Sequence, residues 1–155
     1  METIYYYQSP VGRLQLTANN DALTTLRIVN DCHCGLEPQS PAHTIIARTC
    51  KQLDEYFSGE RKTFDLPLAP VGTAFQQKVW ALLLQIPYGK TISYAQLAQS
   101  AGNPKACRAV GSANGKNPVA IIIPCHRVIN TGGKWGGYAY GLDVKKQLLE
   151  LEGVQ

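Results

Sequence analysis

Alternating and strand-forming residues dominate the first thirty positions of the chain. Ile4–Tyr7 is rich in strand formers, Arg13–Thr17 alternates polar and apolar side chains, and Leu23–Val29 is a third strand-like run. A half-buried strand shows this period of two. Residues that favour turns separate the three runs. The pattern predicts a small antiparallel β-meander.

The hydrophobic period changes to that of a helix from Ala42 to Ser58, where the apolar residues fall mostly on one helical face. Gly59 stands where it can end that helix. Thr63–Gly72 contains two prolines and is expected to be extended. We therefore expect two domains, an N-terminal one of residues 1–70 and a C-terminal one of residues 71–155.

Two helix starts in the C-terminal half carry a capping-box pattern, a Ser or Thr followed three residues later by Gln. Thr73 with Gln76 opens an amphipathic helix that is expected to end at Pro87. Ser93 with Gln96 opens a short helix that starts at the next residue. Both starts are local signals and need no tertiary contact to be recognised.

A second short helix is expected after the tight turn Gly102–Pro104, from Lys105 to about Asn114. Two short helices joined by a turn of three or four residues are typical of a helix-turn-helix motif. Most side chains of the second helix are small: Ala106, Cys107, Ala109, Gly111, Ser112 and Ala113. Small residues suit a helix wedged into the core, and they equally suit a helix whose backbone approaches another surface closely.

Composition describes a folded protein rather than a disordered one, with 155 residues, 45% of them hydrophobic and 17% charged. No apolar run approaches the ~18 residues that a membrane span needs. The N-terminus has no signal-peptide pattern. Five cysteines, an odd number, are therefore expected to be reduced thiols of a cytoplasmic protein.

The net charge of +4 is unevenly distributed along the chain. Residues 1–70 hold six Lys/Arg and eight Asp/Glu, whereas residues 71–155 hold nine and three. No acidic residue lies between Asp65 and Asp143. Such asymmetry favours a polyanionic partner, most simply nucleic acid, although chance placement of surface charge would give the same count. The same charge asymmetry favours the second interpretation of the small-residue helix. In that interpretation its backbone approaches the polyanionic partner closely, and Arg108 is its one long side chain.

A cysteine near the end of the basic half is the candidate for chemistry. Val119–Ile123 is a β-branched run between two prolines and is predicted to be a short, fully buried strand. Directly after it, Pro124 is followed by Cys125, His126 and Arg127. A nearby base and a nearby cation both favour the thiolate, the nucleophilic form of cysteine. From these residues alone, a nucleophilic cysteine and an inert buried cysteine both remain open.

A collinear set of short motifs runs through the C-terminal half: Ser93–Ala98, Gly102–Lys105, Arg108–Gly111, Asn117–Pro118, Pro124–Ile129, Gly136–Tyr138 and Lys145–Glu152. This set resembles the methylated-DNA–protein-cysteine methyltransferases, also called O6-alkylguanine-DNA alkyltransferases. The N-terminal half matches them only in its plan of strands followed by a helix. Together the patterns and the resemblance predict an α+β fold. Its parts are a small antiparallel sheet with a helix (ribonuclease H-like) and a mainly helical, winged-helix-like domain with the helix-turn-helix.

The resemblance implies a reaction in which an alkyl group moves from O6 of guanine, or O4 of thymine, in DNA to a cysteine of the protein itself. Cys125 would be the nucleophile and acceptor, His126 the base acting through a water, and Glu152 the residue that orients the imidazole. The product is a thioether without an easy reverse step, so each molecule acts once. No cofactor is expected.

The remaining implied roles concern the damaged base and the DNA. Asn117 would brace the turn around the cysteine, Tyr94 would hydrogen-bond a ring nitrogen of the base, and Lys145 would lie near the nucleophile and O6. The implied substrate-binding residues are Val128, Gly137, Tyr138 and Ala139. The implied DNA-binding residues are Tyr94, Lys105, Ala106, Arg108, Ala109, Gly111, Ser112 and Arg127.

Binding to double-stranded DNA is expected through the minor groove, with little sequence preference and strong salt dependence, by a monomeric protein. Arg108 would fill the space that the flipped nucleotide leaves in the base stack. Ala139 and Tyr140 stand where many relatives have serine and glycine, so methyl adducts should react well and benzyl-sized adducts poorly.

Three alternatives are less favoured by the residues. Cys32, His33, Cys34 and His43 could be read as a metal site, but their spacing is tighter than the usual zinc pattern and no metal is expected. A thiol hydrolase would use a Cys–His pair, yet it needs neither a basic half nor a helix-turn-helix. A damage-binding protein without chemistry would not need Cys125.

Overall fold

The computed structural model describes residues 3–29, 44–130 and 138–154. The chain divides into two compact units, Met1–Pro70 and Val71–Gln155. Among the described residues, no helix is long and apolar enough to cross a membrane.

The N-terminal unit contains a three-stranded antiparallel sheet of β1 (Thr3–Ser9), β2 (Gly12–Ala18) and β3 (Leu23–Val29), in that order. In its register, Leu16 of the central strand faces Tyr5 on one side and Leu26 on the other. The predicted meander is thus confirmed.

Helix α1 (Thr44–Phe57) packs against β1 and β2 through its apolar face. Gly59 follows the helix with a φ of +85°, a left-handed conformation that favours glycine. The extended segment after it returns to β3, where Leu23 forms a parallel bridge with Leu68. The predicted helix is confirmed over its described residues.

The C-terminal unit is mainly helical and confirms the predicted α+β class. Its helices are α2 (Ala74–Leu83), α3 (Tyr94–Ser100), α4 (Cys107–Gly115) and α5 (Leu142–Leu151). Its other elements are a 3-10 turn at Cys125–Arg127 and a two-residue parallel pair of β4 (Ile92–Ser93) and β5 (Val128–Ile129).

Both predicted capping boxes are present. The Thr73 hydroxyl accepts from the Gln76 backbone N–H at 3.1 Å, and the Gln76 side-chain oxygen accepts from the Thr73 N–H at 2.9 Å. Ser93 and Gln96 make the same pair of bonds at 3.0 and 2.8 Å. Helix α2 ends at Leu83, earlier than the expected Pro87, and tighter turns follow it.

The link between α3 and α4 is longer than the sequence predicts. It spans residues 101–106, because α4 begins at Cys107 and not at Lys105. Asn103 explains the delay: its side-chain oxygen accepts from the Lys105 N–H at 3.1 Å, and its carbonyl accepts from the Ala106 N–H at 3.0 Å. Those donors are therefore held in a turn before the helix begins.

Trp80 of α2 fixes the end of α4. Its indole N–H donates to the carbonyl oxygen of Ala113 at 2.9 Å, and the residue is buried. Val110 and Ala113 are also buried, so α4 turns this edge toward the core. The same carbonyl also accepts from the Lys116 N–H at 3.2 Å, so the indole adds a second, tertiary bond at the end of the helix.

The prediction of a strand at Val119–Ile123 is wrong, although all five residues are buried as expected. The segment is a series of tight turns, with Ile122 N–H bonding to Ala120 and Ile123 N–H to Val119. Ile121 has a φ of +71°, which is costly for a β-branched residue. A continuous buried apolar run does not distinguish a strand from a buried turn.

Candidate active site and the helix-turn-helix

Cys125 begins the 3-10 turn and lines a small pocket, with 4% of the residue exposed. The pocket has a volume of about 190 Å³. Pockets for drug-sized ligands are typically ~300–1,000 Å³, so this one fits a smaller group. Its lining residues are Tyr94, Gly111, Asn114, Gly115, Cys125, Tyr138 and Ala139.

Asn117 ties together the turns that lead to the cysteine. Its side-chain nitrogen donates to the carbonyl of Ile123 at 2.7 Å, and its oxygen accepts from the Val119 N–H at 3.0 Å. Both ends of this buried amide are therefore satisfied by the backbone of the loop that ends at Cys125. The amide takes over bonds that a neighbouring strand would have supplied.

The short β4–β5 pair brings Tyr94 to the pocket. Ser93, which pairs with Ile129, is also the N-cap of α3, and Tyr94 is the first residue of that helix. On the facing helix, a Cβ at Gly111 would lie 3.9 Å from the Tyr94 ring. Tyr94 is thus set between the thiol-bearing turn and α4.

Asn114 is a pocket residue that the sequence analysis missed. It lies in the last turn of α4, and its side-chain nitrogen donates to the carbonyl of Cys125 at 3.4 Å. Burial raises the pKa of Tyr94, as does the charge of Cys125, while a hydrogen bond from Asn114 lowers it. An asparagine three residues before Asn117, at the end of a helix that borders the site, was the available signal.

His126, Arg127 and Glu152 form a buried hydrogen-bonded cluster, referred to below as the carboxylate cluster. His126 Nε2 lies 2.7 Å from one carboxylate oxygen of Glu152. The Arg127 guanidinium donates to both oxygens, at 2.8 and 3.0 Å, and to the Ile86 carbonyl at 2.7 Å. Tyr88 lies beneath the guanidinium, with 5.7 Å between its ring centroid and Cζ.

The expectation that Arg127 contacts DNA is corrected by this cluster. Only 7% of the residue is exposed, and its guanidinium is bound to Glu152 and Ile86. A buried guanidinium held in this way positions protein groups and does not present a charge at the surface. Arg127 belongs to the support of His126 and Glu152.

The geometry around Glu152 also depends on Gly89, which has a φ of +78°. A Cβ at that position would approach the Glu152 carbonyl oxygen to 3.1 Å. The neighbouring Tyr88 hydroxyl donates to the Leu151 carbonyl at 3.2 Å. The turn after α2 therefore holds the end of α5, where the carboxylate is placed.

The resting thiol of Cys125 is protonated, contrary to the expectation that its neighbours favour the thiolate. Burial raises the pKa of Cys125, and this outweighs the lowering by Asn117, Tyr138 and Lys145. Arg127 is engaged by Glu152 and supplies no free cation to the sulfur. A base must therefore remove the proton during the reaction.

His126 is suited to that task by its environment. Burial lowers the pKa of its imidazole more than Glu152 raises it, so the neutral ring is the resting form. For Glu152 itself, burial acts to raise the pKa, but the bonds from His126 and Arg127 lower it to about 2. A carboxylate only accepts, so Nε2 carries the proton and Nδ1 is the acceptor.

Lys145 is buried near the thiol, and its amine donates to the Val128 carbonyl at 2.7 Å. Burial lowers the pKa of Lys145 to about 8, while the charge of Cys125 acts to raise it. The amine can therefore exist in both charge states near neutral pH. Val128 is buried, and its carbonyl already accepts one bond.

The small residues of the helix-turn-helix lie mainly on its surface. Lys105, Arg108, Ala109 and Ser112 are exposed, whereas Ala106 and Gly111 are intermediate. The alternative of a helix wedged into the core by its small side chains therefore does not hold for this face. Cys107 is exposed as well.

Tyr138 and Ala139 line the pocket. The ring centroids of Tyr138 and Tyr140 are 5.6 Å apart, and the two rings meet edge to face. Gly137 lies outside the described residues, as do Cys32, His33, Cys34 and His43. Within the described residues, no group of three or more His, Cys, Asp or Glu could hold a metal ion.

Fold and site together define a protein with a helix-turn-helix unit and a buried thiol beside a His–Glu pair. The family model for the 6-O-methylguanine DNA methyltransferase DNA-binding domain matches residues 74–154. The model for the ribonuclease-like domain of the same proteins matches residues 4–70. The chain belongs to the methylated-DNA–protein-cysteine methyltransferase family.

Known relatives and solved structures match this chain over nearly its whole length. A methylated-DNA–protein-cysteine methyltransferase of Methanosarcina acetivorans is 46% identical, covering 97% of this chain and 99% of its own. The structure of the O6-methylguanine methyltransferase of Mycobacterium tuberculosis has a TM-score of 0.86 at 45% identity, covering 98% and 93%. A structure of the M. tuberculosis protein OGT in complex with DNA has a TM-score of 0.86 at 46% identity, covering 96% and 91%.

Proposed function

We propose that this protein repairs double-stranded DNA by moving a methyl group from O6 of guanine, and from O4 of thymine, irreversibly to Cys125. The observation that carries the proposal is a buried thiol in a pocket beside a His–Glu pair with an N–O distance of 2.7 Å. Membership in the methylated-DNA–protein-cysteine methyltransferase family supports it. A thiol hydrolase is less favoured, because it has no use for the exposed face of α4.

The thiol is activated by His126 in this proposal. Nε2 of the imidazole is committed to Glu152, and Nδ1 is buried with no hydrogen-bond partner among the described residues. Nδ1 takes the Cys125 proton through a water, and the sulfur attacks the methyl carbon. The S–C bond forms as the C–O6 bond breaks, and the electron pair of that bond stays on the base. Glu152 stabilises the imidazolium that results.

The departing guanine needs a proton or a hydrogen bond, because a bare anion is a poor leaving group. Tyr94 lines the pocket, and in this proposal its hydroxyl donates to a ring nitrogen of the base. Its raised pKa, caused first by burial, keeps it protonated and therefore a donor. Lys145, with a pKa of about 8, supplies positive charge near the sulfur and O6.

The DNA is bound by α3 and α4, with the exposed face of α4 in the minor groove. Small side chains such as Ala109 and Ser112 allow the helix backbone to approach the duplex closely. A stacked guanine does not offer its methyl group to a buried thiol, so the nucleotide is flipped into the pocket. Arg108, exposed near the start of α4, occupies the space left in the stack.

Intact-protein mass spectrometry tests the proposed function. We expect one molecule of protein to gain the mass of one methyl group after incubation with an O6-methylguanine duplex, and peptide mapping to place it on Cys125. Excess substrate should give no second gain, because the thioether does not turn over. Repeated turnover on an ester without any mass gain would instead identify a thiol hydrolase.

Replacing Arg108 by alanine should slow repair of the duplex while leaving reaction with free O6-methylguanine base unchanged. The expected loss on the duplex is on the order of tenfold to a hundredfold, since flipping costs a few kcal/mol that the inserted side chain offsets. Single-turnover transfer rates on the two substrates measure the difference. Arg27→Ala, an exposed arginine of β3, is the control and should change neither rate. Equal losses on both substrates would exclude Arg108 from flipping.

A further inference from the structure

Tyr88 lies in the turn that follows α2 and is half-buried. Its ring lies beneath the Arg127 guanidinium, with 5.7 Å between the ring centroid and Cζ. Its hydroxyl donates to the Leu151 carbonyl at 3.2 Å. One side chain therefore contacts both the cation of the carboxylate cluster and the end of α5, next to Glu152.

The Arg127 guanidinium has to keep one orientation, because it bonds to both carboxylate oxygens of Glu152 at 2.8 and 3.0 Å. A further bond of 2.7 Å joins it to the Ile86 carbonyl. All N–H donors of a guanidinium lie in its plane, so these bonds do not cover its two faces. An aromatic ring packs well on such a face, and Tyr88 supplies one.

The Tyr88 hydroxyl holds the C-terminal end of α5. Leu151 is the last residue of that helix, so its carbonyl has no helical N–H to accept from. Nearer its start, the same helix is tied by Lys145, whose amine donates to the Val128 carbonyl at 2.7 Å. Glu152 follows Leu151 directly as the C-cap of the helix. A movement of the helix end would therefore carry the carboxylate with it.

The contacts of Tyr88 also bear on the charge of the imidazole. The pKa of Tyr88 is raised, first by burial and then by the charge of Glu152, so the hydroxyl remains a donor at neutral pH. Burial is the largest cause that lowers the pKa of His126, and the charge of Arg127 lowers it further. A ring over the guanidinium excludes water from that side of the cluster and keeps the cation in place. Both effects favour the neutral imidazole.

We propose that Tyr88 is a positioning residue for alkyl transfer. Its ring holds the Arg127 guanidinium against Glu152, and its hydroxyl holds the end of α5, so that the carboxylate stays on Nε2 of His126 and Nδ1 remains the acceptor for the thiol proton. This inference rests on the function proposed above. Tyr88 is not among the described residues that line the pocket, so it acts through Arg127 and Glu152.

Single-turnover transfer from a saturating O6-methylguanine duplex, at about pH 6 and about pH 7.5, tests the role of the ring. In Tyr88→Leu the pKa of His126 should return toward its ordinary value of 6.5, and the rate at the lower pH should fall to about a third of the other. Tyr88→Phe keeps the ring and should keep the wild-type ratio, with both rates at most about fivefold lower for the lost hydroxyl bond. Tyr88→Met also removes the aromatic face and serves if the leucine variant does not fold.

The other ionisable groups around His126 hardly change over this pH range. Glu152 has a pKa of about 2 and stays ionised, and Lys145 has a pKa of about 8 and keeps most of its charge. Burial raises the pKa of Cys125, so the thiol stays protonated. The guanidinium of Arg127 is charged throughout. A change in the ratio of the two rates therefore reports the imidazole.

Nuclear magnetic resonance of nitrogen-15-labelled histidine gives a second readout that needs no substrate, and the chain has three histidines. At neutral pH we expect His126 to show the tautomer with the proton on Nε2 in wild type and Tyr88→Phe, and a mixture with the charged form in Tyr88→Leu. Tyr5→Leu is the control, the same substitution at a half-buried tyrosine of β1. It should lose stability without changing either readout.

A folded Tyr88→Leu or Tyr88→Met variant with the wild-type rate ratio and the wild-type tautomer would overturn the proposal and leave Tyr88 a structural role. Equal changes in Tyr88→Phe and Tyr88→Leu would overturn the assignment to the ring. Failure of the wild type to accept a methyl group from any duplex would overturn the proposed function instead. The resonance experiment would still test Tyr88 in that case, so the two failures are distinguishable.

Discussion

Replacing Cys125 by alanine is expected to abolish alkyl transfer while leaving binding to duplex DNA nearly unchanged. The thiol is the proposed nucleophile, and among the described residues that line the pocket Cys125 alone carries a sulfur. The exposed residues of α4 that are proposed to contact DNA do not depend on this side chain. Mass spectrometry with an O6-methylguanine duplex measures the transfer, and a fluorescence titration with the same duplex measures binding.

Cys107→Ala is the control for this experiment, because Cys107 is an exposed thiol on α4. A methyl group acquired by non-specific reaction with exposed thiols would be lost in that variant and kept in Cys125→Ala. We expect the reverse result. Methyl transfer that survives in Cys125→Ala would contradict the assignment of the acceptor, and a large loss of DNA affinity would show that the turn at Cys125 also shapes the DNA-binding surface.

Local signals account for the parts of the fold that the sequence predicted well. The meander follows from alternation, and the starts of α2 and α3 follow from capping boxes whose bonds join residues three positions apart. Gly59 follows α1 with a positive φ, a conformation that favours glycine, so this one residue signals the end of the helix. Each of these features depends on neighbours in the chain, so one sequence is enough to recognise it.

The loop before the thiol could not be predicted in the same way. Val119–Ile123 has the composition of a buried strand, and its burial is as expected. Its backbone bonds, however, are made within the loop and to the side chain of Asn117. Ile121 adopts a positive φ that its own preferences disfavour. Tertiary packing overrides local propensity here, as is common near functional sites.

Charge along the sequence also misleads where a charged residue is buried. Arg127 counts toward the basic half, yet its partners are Glu152, 25 residues later, and Ile86, 41 residues earlier. No local pattern links these three positions. The basic character of the proposed DNA-binding surface therefore comes from exposed residues such as Lys105 and Arg108. Asn114, in contrast, is a pocket residue that was not recognised from the sequence. It lies beside Cys125 and Tyr94 in a pocket that forms only in the folded chain.

The carboxylate cluster contributes both to the stability of the fold and to the proposed activation of the thiol. Arg127 keeps Glu152 ionised, the ionised carboxylate fixes the tautomer of His126, and the tautomer leaves Nδ1 as the acceptor. The positive charge of Arg127 also helps to lower the pKa of His126, after the larger effect of burial. The same bonds that orient the proposed base thus compensate for burying three ionisable groups.

Glu152→Gln is accordingly expected to cost about 3–5 kcal/mol of the free energy of unfolding at neutral pH, because it leaves the Arg127 guanidinium buried without a counter-charge. Glu150→Gln is the matched control, the same substitution two residues earlier in an exposed pair with Lys146 at 3.9 Å. That change should cost less than about 0.5 kcal/mol. Urea denaturation of the two variants and the wild type measures both values.

The pH dependence of stability distinguishes a lost ion pair from a packing defect. The pKa of Glu152 is about 2 in the folded chain, below its ordinary value of 4.5, so folding favours the ionised form. Its contribution is therefore fully present above pH 4.5 and is lost as the pH falls from there toward 2. The difference in unfolding free energy between wild type and Glu152→Gln should shrink across that window, and a difference that stays constant with pH would assign the loss to packing alone.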